Sequence, residues 1–189
     1  MSKGIVQFVL AALKDPKSVS TPFPTLKYLA QSLIQHSQMT SEHRVLELGC
    51  GSGAITKHIL EQGPHKSYLG VELNGDLVKF LQSTYPEVPF IKASADNLEN
   101  YVDDESIDII ISSLPLTMFS PPVQEAIINE ITRVLKPGGH FVTFICLHAL
   151  AIPSATRAKK LFRQSFRQFE MVDTISRNIP PANVYLCVK

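Results

Sequence analysis

The sequence predicts an α/β fold: a doubly wound, largely parallel sheet with helices on both faces. Three observations carry that prediction. Short apolar runs alternate with segments of helical period along nearly all 189 residues. One run, "IDIIIS" at Ile107–Ser112, is almost continuously apolar, as a strand buried on both faces must be. Another, "VLELGCGSGA" at Val45–Ala54, breaks into a glycine turn whose Gly49, Gly51 and Ala54 keep the G-x-G-x-x-G/A spacing.

The elements follow in order. Ile5, Val6, Phe8, Val9, Ala12 and Leu13 recur at helical spacing, lysines flank them, and Asp15-Pro16 stops the run, so residues 4–13 read as an N-terminal amphipathic helix. A second helix runs from Pro24 to about Gln38. Val45–Leu48 is a strand, and Ala54–Gln62 a helix that Gly63-Pro64 ends. Tyr68–Glu72 is a strand, Asp76–Thr84 a helix, Val88–Lys92 a strand and Ile107–Ser112 the next. Pro122–Leu135 is a helix punctuated by Pro137-Gly138-Gly139, and His140–Leu147 the strand after it. Residues 155–168 read as a helix, and Glu170–Ser176 and Val184–Val188 as two closing strands. With no repeats and no low-complexity linker, residues 1–189 read as one domain, with a helical lid or membrane segment over 1–40 and a catalytic core over 41–189.

Composition excludes several classes. At 44% hydrophobic and 19% charged residues the chain is an ordinary globular one. No apolar run approaches the ~20 residues that span a bilayer, and no signal-peptide pattern opens the chain, so a cytoplasmic location is expected. Cys50, Cys146 and Cys187 stand far apart and read as reduced thiols, and no His/Cys/Asp cluster has metal-ligand spacing, so no metal is expected. The net charge of +1 is unevenly spread: residues 1–27 carry +3, residues 28–149 carry −7 and residues 150–189 carry +5. Basic ends point to an anionic partner.

The glycine turn follows the first strand of the doubly wound part, so it lies beyond the strands' carboxyl ends, where such sheets bind ligands. Glu72, ending the next strand, suits a ribose, because a carboxylate accepts two hydroxyl hydrogen bonds. Both NAD and S-adenosylmethionine carry that ribose. Glu47 separates them. Two like charges ~5 Å apart repel by roughly 3 kcal/mol at an effective dielectric of ~20, so a carboxylate beside the loop disfavours a pyrophosphate and favours a sulfonium or ammonium.

The runs "VLELGCGSG", "GVELN", "ASADNL", "IDIIISSLPL" and "LKPGGHFVTF" occur in the order found in class I S-adenosylmethionine-dependent methyltransferases, and residues 44–147 resemble that family. The resemblance implies a Rossmann-like seven-stranded sheet with the last strand antiparallel, and S-adenosylmethionine as cofactor. It places Glu47, Gly49, Cys50, Gly51 and Gly53 around the methionine part, Glu72, Leu73 and Asn74 at the ribose, and Ser94, Ala95 and Asp96 at the adenine.

The corner after the fourth strand bears on substrate. Nucleic-acid amino-methyltransferases read Asn-Leu-Pro-Tyr there, the amide holding the target amine and the aromatic stacking on a flipped base. Here Ser113-Leu114-Pro115-Leu116 keeps the turn and lacks both groups, which argues against nucleic acid. The chain is similar instead to bacterial phospholipid N-methyltransferases, which methylate phosphatidylethanolamine. They show Ser-Gly-Leu-Pro-Leu at this corner, an Arg/Lys-Pro-Gly-Gly run like Lys136–Gly139, and Arg-Asn-Leu-Pro-Pro-Ala like Arg177–Ala182. Their amphipathic N-terminal helix ends near Asp-Pro, as residues 3–16 do, but their Phe-Thr-Tyr-Gly is Phe144-Ile145-Cys146-Leu147 here.

The resemblance implies an amino-phospholipid substrate, the anionic inner face of the membrane as a peripheral partner, and Ser113, Leu114 and Pro115 as the substrate corner. The runner-up is a soluble methyltransferase of rRNA adenine or of a small metabolite. His148 is a candidate general base, and Phe23, Tyr28, Phe119 and Tyr185 are candidate aromatic faces for an ammonium product.

Overall fold

The computed structural model describes residues 24–63 and 65–189; the predicted helix over residues 4–13, and Phe23, lie outside the described residues. Seven strands form one sheet in the order β3-β2-β1-β4-β5-β7-β6. They are β1 (Arg44–Leu48), β2 (Ser67–Glu72), β3 (Phe90–Lys92), β4 (Ile107–Ser112), β5 (Leu135–Cys146), β6 (Gln168–Ile175) and β7 (Ala182–Val188). β1 pairs in parallel with both β2 and β4, so the chain reverses its winding across β1, and ligand-binding crevices form at such a reversal. β7 runs antiparallel between β5 and β6, as the resemblance implied.

Alternation along the strands builds two cores. Val45, Ile109, Ile111, Val142 and Val184 face α1 (Pro24–Ser37), α2 (Thr56–Leu60) and α3 (Gly75–Thr84), burying Leu29, Leu33, Ile59 and Leu81. Leu46, Ile110, Phe141 and Ile145 face α4 (Pro121–Val134) and α5 (Pro153–Ser165), burying Ile127, Ile131 and Phe162. Buried on both faces, β1 and β4 read as near-continuous apolar runs.

Several boundaries differ from expectation by a few residues, and two of the differences have a clear local reason. Helix α2 starts only at Thr56, because Gly53 (φ +85°) is left-handed and the chain turns through Ala54 and Ile55 before its helical bonds close. Strand β5 starts at Leu135, not His140. Leu135 pairs with Ile107, the register then shifts, and Pro137-Gly138-Gly139 form the irregularity rather than a break. There a Cβ on Gly139 would stand 2.9 Å from Leu135 Cδ2 and 3.0 Å from the Asp108 carbonyl oxygen.

Candidate active site

The loops after β1, β2 and β4 meet at the carboxyl edge of the sheet. The Gly49 N–H donates to the Val71 carbonyl (2.8 Å), and the Ser113 N–H donates to the Leu48 carbonyl (3.0 Å). Gly49 has φ +80°, and a Cβ there would lie 2.9 Å from Leu114 Cδ2 and 3.3 Å from Ser113 Oγ. Glycine therefore lets the corner after β4 close onto the loop. Gly51 differs: with φ +56°, a Cβ on it would meet nothing nearer than the Gly49 carbonyl at 4.0 Å. Open space faces the loop where a ligand's methionine part would pass.

Glu72, 8% exposed, anchors this arrangement. Its Oε2 accepts from the Gly51 N–H (2.9 Å) and its Oε1 from the Asn74 N–H (2.8 Å). Each oxygen keeps a further lone pair for a vicinal diol. Beside it, Gly49, Val71, Leu73, Ala93, Ala95, Leu114, Phe119 and Ile127 line a narrow slot. An apolar slot with one carboxylate at its mouth fits a nucleoside, the base between aliphatic walls and the sugar on the acid. The donor set thus fits S-adenosylmethionine.

Several expected residues stand elsewhere. Glu47 is 1% exposed, sealed beneath the loop rather than open to the cleft. Its Oε2 accepts from the Tyr68 hydroxyl (2.5 Å), and its Oε1 has no partner among the described residues. Desolvation, the main cause, raises its pKa to about 7, against the lowering effect of the Tyr68 hydrogen bond. Its expected direct charge on the ligand is replaced by a support under the loop, because β1's alternation turns it with Val45 toward the α1–α2 core. Cys50 also turns inward, 4% exposed, its Sγ 3.9 Å from the Tyr68 hydroxyl. The Asn74 side chain caps α3, accepting from the Asp76 N–H (2.9 Å) and the Leu77 N–H (3.4 Å), which occupies its carbonyl oxygen. Ala95 lines the slot, whereas Ser94 and Asp96, both half-buried, do not.

At the substrate corner the Ser113 hydroxyl donates to the Gly49 carbonyl (2.5 Å), Leu114 walls the slot and Pro115 is exposed. His148 is exposed in the 3-10 turn Leu147–Ala149 after β5. Among the candidate aromatics, Phe119 lines the slot. Tyr185 is 3% exposed and stacked on Phe169, a core position, and Tyr28 carries the Arg177 guanidinium 5.6 Å from its ring centroid.

Sequence reasoning missed two supports. Tyr68, buried so that desolvation raises its pKa, gives Glu47 its hydrogen bond; a tyrosine at the second position of a buried parallel strand was the available signal. Gln124 lies buried on α4, its Nε2 donating to the Leu116 (2.6 Å) and Ser154 (3.3 Å) carbonyls. It ties the turn after β4 to the start of α5.

The Glu47 carboxyl has a measurable consequence. Its pKa is about 7 when folded against 4.5 when free. Below pH 4.5 both states hold the proton; between 4.5 and 7 unfolding releases it, so stability falls as pH rises through that window, by about 3 kcal/mol in all. Glu47→Gln should remove this slope. Urea unfolding at pH 5 and pH 8 checks it, the difference between variant and parent growing by about 3 kcal/mol toward the higher pH. An unchanged difference would place the carboxyl in contact with water.

Residues 45–139, just over half of the chain, match the family described as a methyltransferase domain, and the chain belongs to that family. With this glycine loop, the acid ending β2 and this strand order, it is a class I S-adenosylmethionine-dependent methyltransferase. An ornithine lipid N-methyltransferase of Singulisphaera acidiphila is 23% identical, the match covering 98% of this chain and 96% of that protein. The phosphoethanolamine N-methyltransferase 1 of Triticum aestivum is 32% identical over 55% of this chain, which spans only 22% of that longer protein. The crystal structure of a SAM-dependent methyltransferase from Aquifex aeolicus superposes with a TM-score of 0.75 at 13% identity, over 92% of this chain and 98% of that one.

Proposed function

We propose that the protein transfers a methyl group to the amine of an amino-phospholipid, phosphatidylethanolamine or a close relative, at a membrane surface. The observation that carries this reading is the nearly end-to-end match to an ornithine lipid N-methyltransferase. The phosphoethanolamine N-methyltransferase match supports an ethanolamine-type acceptor. The corner after β4 agrees: the Ser113 hydroxyl donates its hydrogen bond to the Gly49 carbonyl and Leu114 walls the slot, which leaves no side-chain amide or aromatic at these positions to read a base.

Bound on the loop, S-adenosylmethionine supplies a methyl carbon made electrophilic by its cationic sulfur. Glu72 would hold the ribose, and Ala93, Ala95 and Phe119, which line the slot, would flank the adenine. The tie between Ser113 and Gly49 keeps the corner that receives the acceptor in register with the loop that holds the donor, and such positioning supplies ~7–11 kcal/mol in oriented reactions. The amine must arrive neutral, and we assign the relay of its proton to solvent to His148, exposed in the turn after β5. Among the described residues no helix is long and apolar enough to cross a membrane, so the reading needs surface contact with lipid.

Expression in a bacterial host that makes phosphatidylethanolamine but no methylated lipid tests this. Mass spectrometry of the lipid extract should show headgroups heavier by one or more methyl groups. An unchanged lipid profile beside a newly methylated rRNA adenine would favour the soluble alternative.

A further inference from the structure

The surface of the carboxyl edge carries an uneven distribution of apolar side chains. Among the described residues, seven large hydrophobic side chains are exposed. Five of them, Tyr28, Leu73, Met118, Leu147 and Ile179, stand at this one edge, with Ile179 at 79% exposure. Leu73 follows the end of β2, Met118 lies in the turn after β4, Leu147 follows β5, and Ile179 tips the β6–β7 loop. Short contacts link the elements that carry Met118, Leu147, Ile179 and Tyr28. The Ser154 hydroxyl donates to the Thr117 carbonyl (2.6 Å), and the Leu147 N–H donates to the Pro181 carbonyl (2.8 Å). The Arg177 guanidinium stacks on Tyr28. Scattered exposed apolar residues are ordinary on a protein surface; a set gathered on the loops around a ligand cleft marks a contact surface.

Charge identifies what it contacts. Arg177 is exposed beside Ile179 and has no carboxylate partner among the described residues. Arg157, Lys159 and Lys160 on α5, whose first turn is bonded to this edge through Ser154, likewise have no carboxylate partner among the described residues. Asp173, the nearest acid along β6, is engaged: it accepts from the Ser32 hydroxyl (2.6 Å) and stands 3.9 Å from His36. Apolar tips flanked by unpaired cations match a bilayer with anionic headgroups, acyl chains receiving the tips and phosphates the guanidinium and ammonium groups.

We propose that this edge of the sheet is the bilayer-contact face, with Ile179 and Leu147 as its inserted residues and Arg177 as its phosphate contact. The proposal rests on the amino-phospholipid reading above and deepens it. With the edge seated on the membrane, the cofactor cleft opens toward the headgroups, and the acceptor amine reaches the corner after β4 without the lipid leaving the bilayer.

The full chain with Ile179→Glu and Leu147→Glu together tests it, since both positions are exposed and a carboxylate there leaves the core intact. Co-sedimentation with vesicles of phosphatidylcholine and phosphatidylglycerol should fall at least ~10-fold, as expected when an Ile and a Leu no longer leave water. Methylation of vesicle phosphatidylethanolamine should fall in parallel. Methylation of a short-chain phosphatidylethanolamine, dissolved as monomers, should stay within about twofold of the parent. Vesicle binding equal to the parent's overturns the proposal, as does a concentration-dependent dimer abolished by the same substitutions without vesicle binding by the parent. If the parent binds vesicles through these residues yet methylates neither form of the lipid, the contact face stands and the substrate reading fails.

Discussion

Glu72→Ala is expected to weaken S-adenosylmethionine binding by about 1.5–3 kcal/mol, a loss of roughly 10- to 150-fold. The range is that of hydrogen bonds to a charged group, and the geometry favours its upper half. The carboxylate accepts from the Gly51 and Asn74 N–H groups. Its removal costs the ribose its acceptor and the glycine loop its anchor. The Gly51 and Asn74 N–H groups also lose their acceptor, so the variant should be destabilised as well, with a clearly lowered thermal midpoint. Calorimetric titration of the purified variant checks the affinity and thermal unfolding checks the stability. An unchanged affinity would mean that the ribose is held elsewhere.

Gly49→Ala is expected to do more. The left-handed backbone (φ +80°) costs an alanine ~1–2 kcal/mol, and a Cβ 2.9 Å from Leu114 adds an overpacking cost of ~1–3 kcal/mol. Relief requires Leu114 and Ser113 to move, which separates the acceptor corner from the donor loop. Turnover should fall by more than ~100-fold, with clear destabilisation. Gly51→Ala is the informative comparison. Its Cβ meets no protein atom within van der Waals distance, so beyond backbone strain stability should hold, while the methyl group projects into the open space above the loop and weakens cofactor binding. Equal loss of stability in the two variants would contradict the distinction between a packing glycine and a ligand-clearance glycine.

Most of the sheet was legible because its strands are buried on both faces and therefore apolar without interruption, as in β4. Boundaries failed where a tertiary contact overrode a local signal. Pro137-Gly138-Gly139 reads as punctuation, yet pairing of Leu135 with Ile107 draws it into β5 as an irregularity. The position of Glu72 beside the glycine loop was legible because the end of the strand paired with β1 must fall next to the turn that follows β1. Glu47 was misplaced because sequence shows that a carboxylate adjoins the loop but not which way alternation turns it; only the partner strand's Tyr68 shows that it points inward. The walls of the slot were invisible for a different reason. Ala93 comes from the β3–β4 connection, Phe119 and Ile127 from the β4–β5 crossover, and all look like ordinary core residues until the fold gathers them. The apolar rim was equally hidden, since an isolated Ile179 or Leu147 in a loop carries no pattern.

The most direct measurement is transfer of a radiolabelled methyl group. Protein, methyl-labelled S-adenosylmethionine and vesicles containing phosphatidylethanolamine are incubated, extracted into organic solvent and separated by chromatography. The label should appear in N-methylated phosphatidylethanolamine, increase with time, and be lost with Gly49→Ala. Label confined to the aqueous phase with those vesicles, together with transfer to RNA or to a soluble amine, would contradict methylation of a membrane lipid.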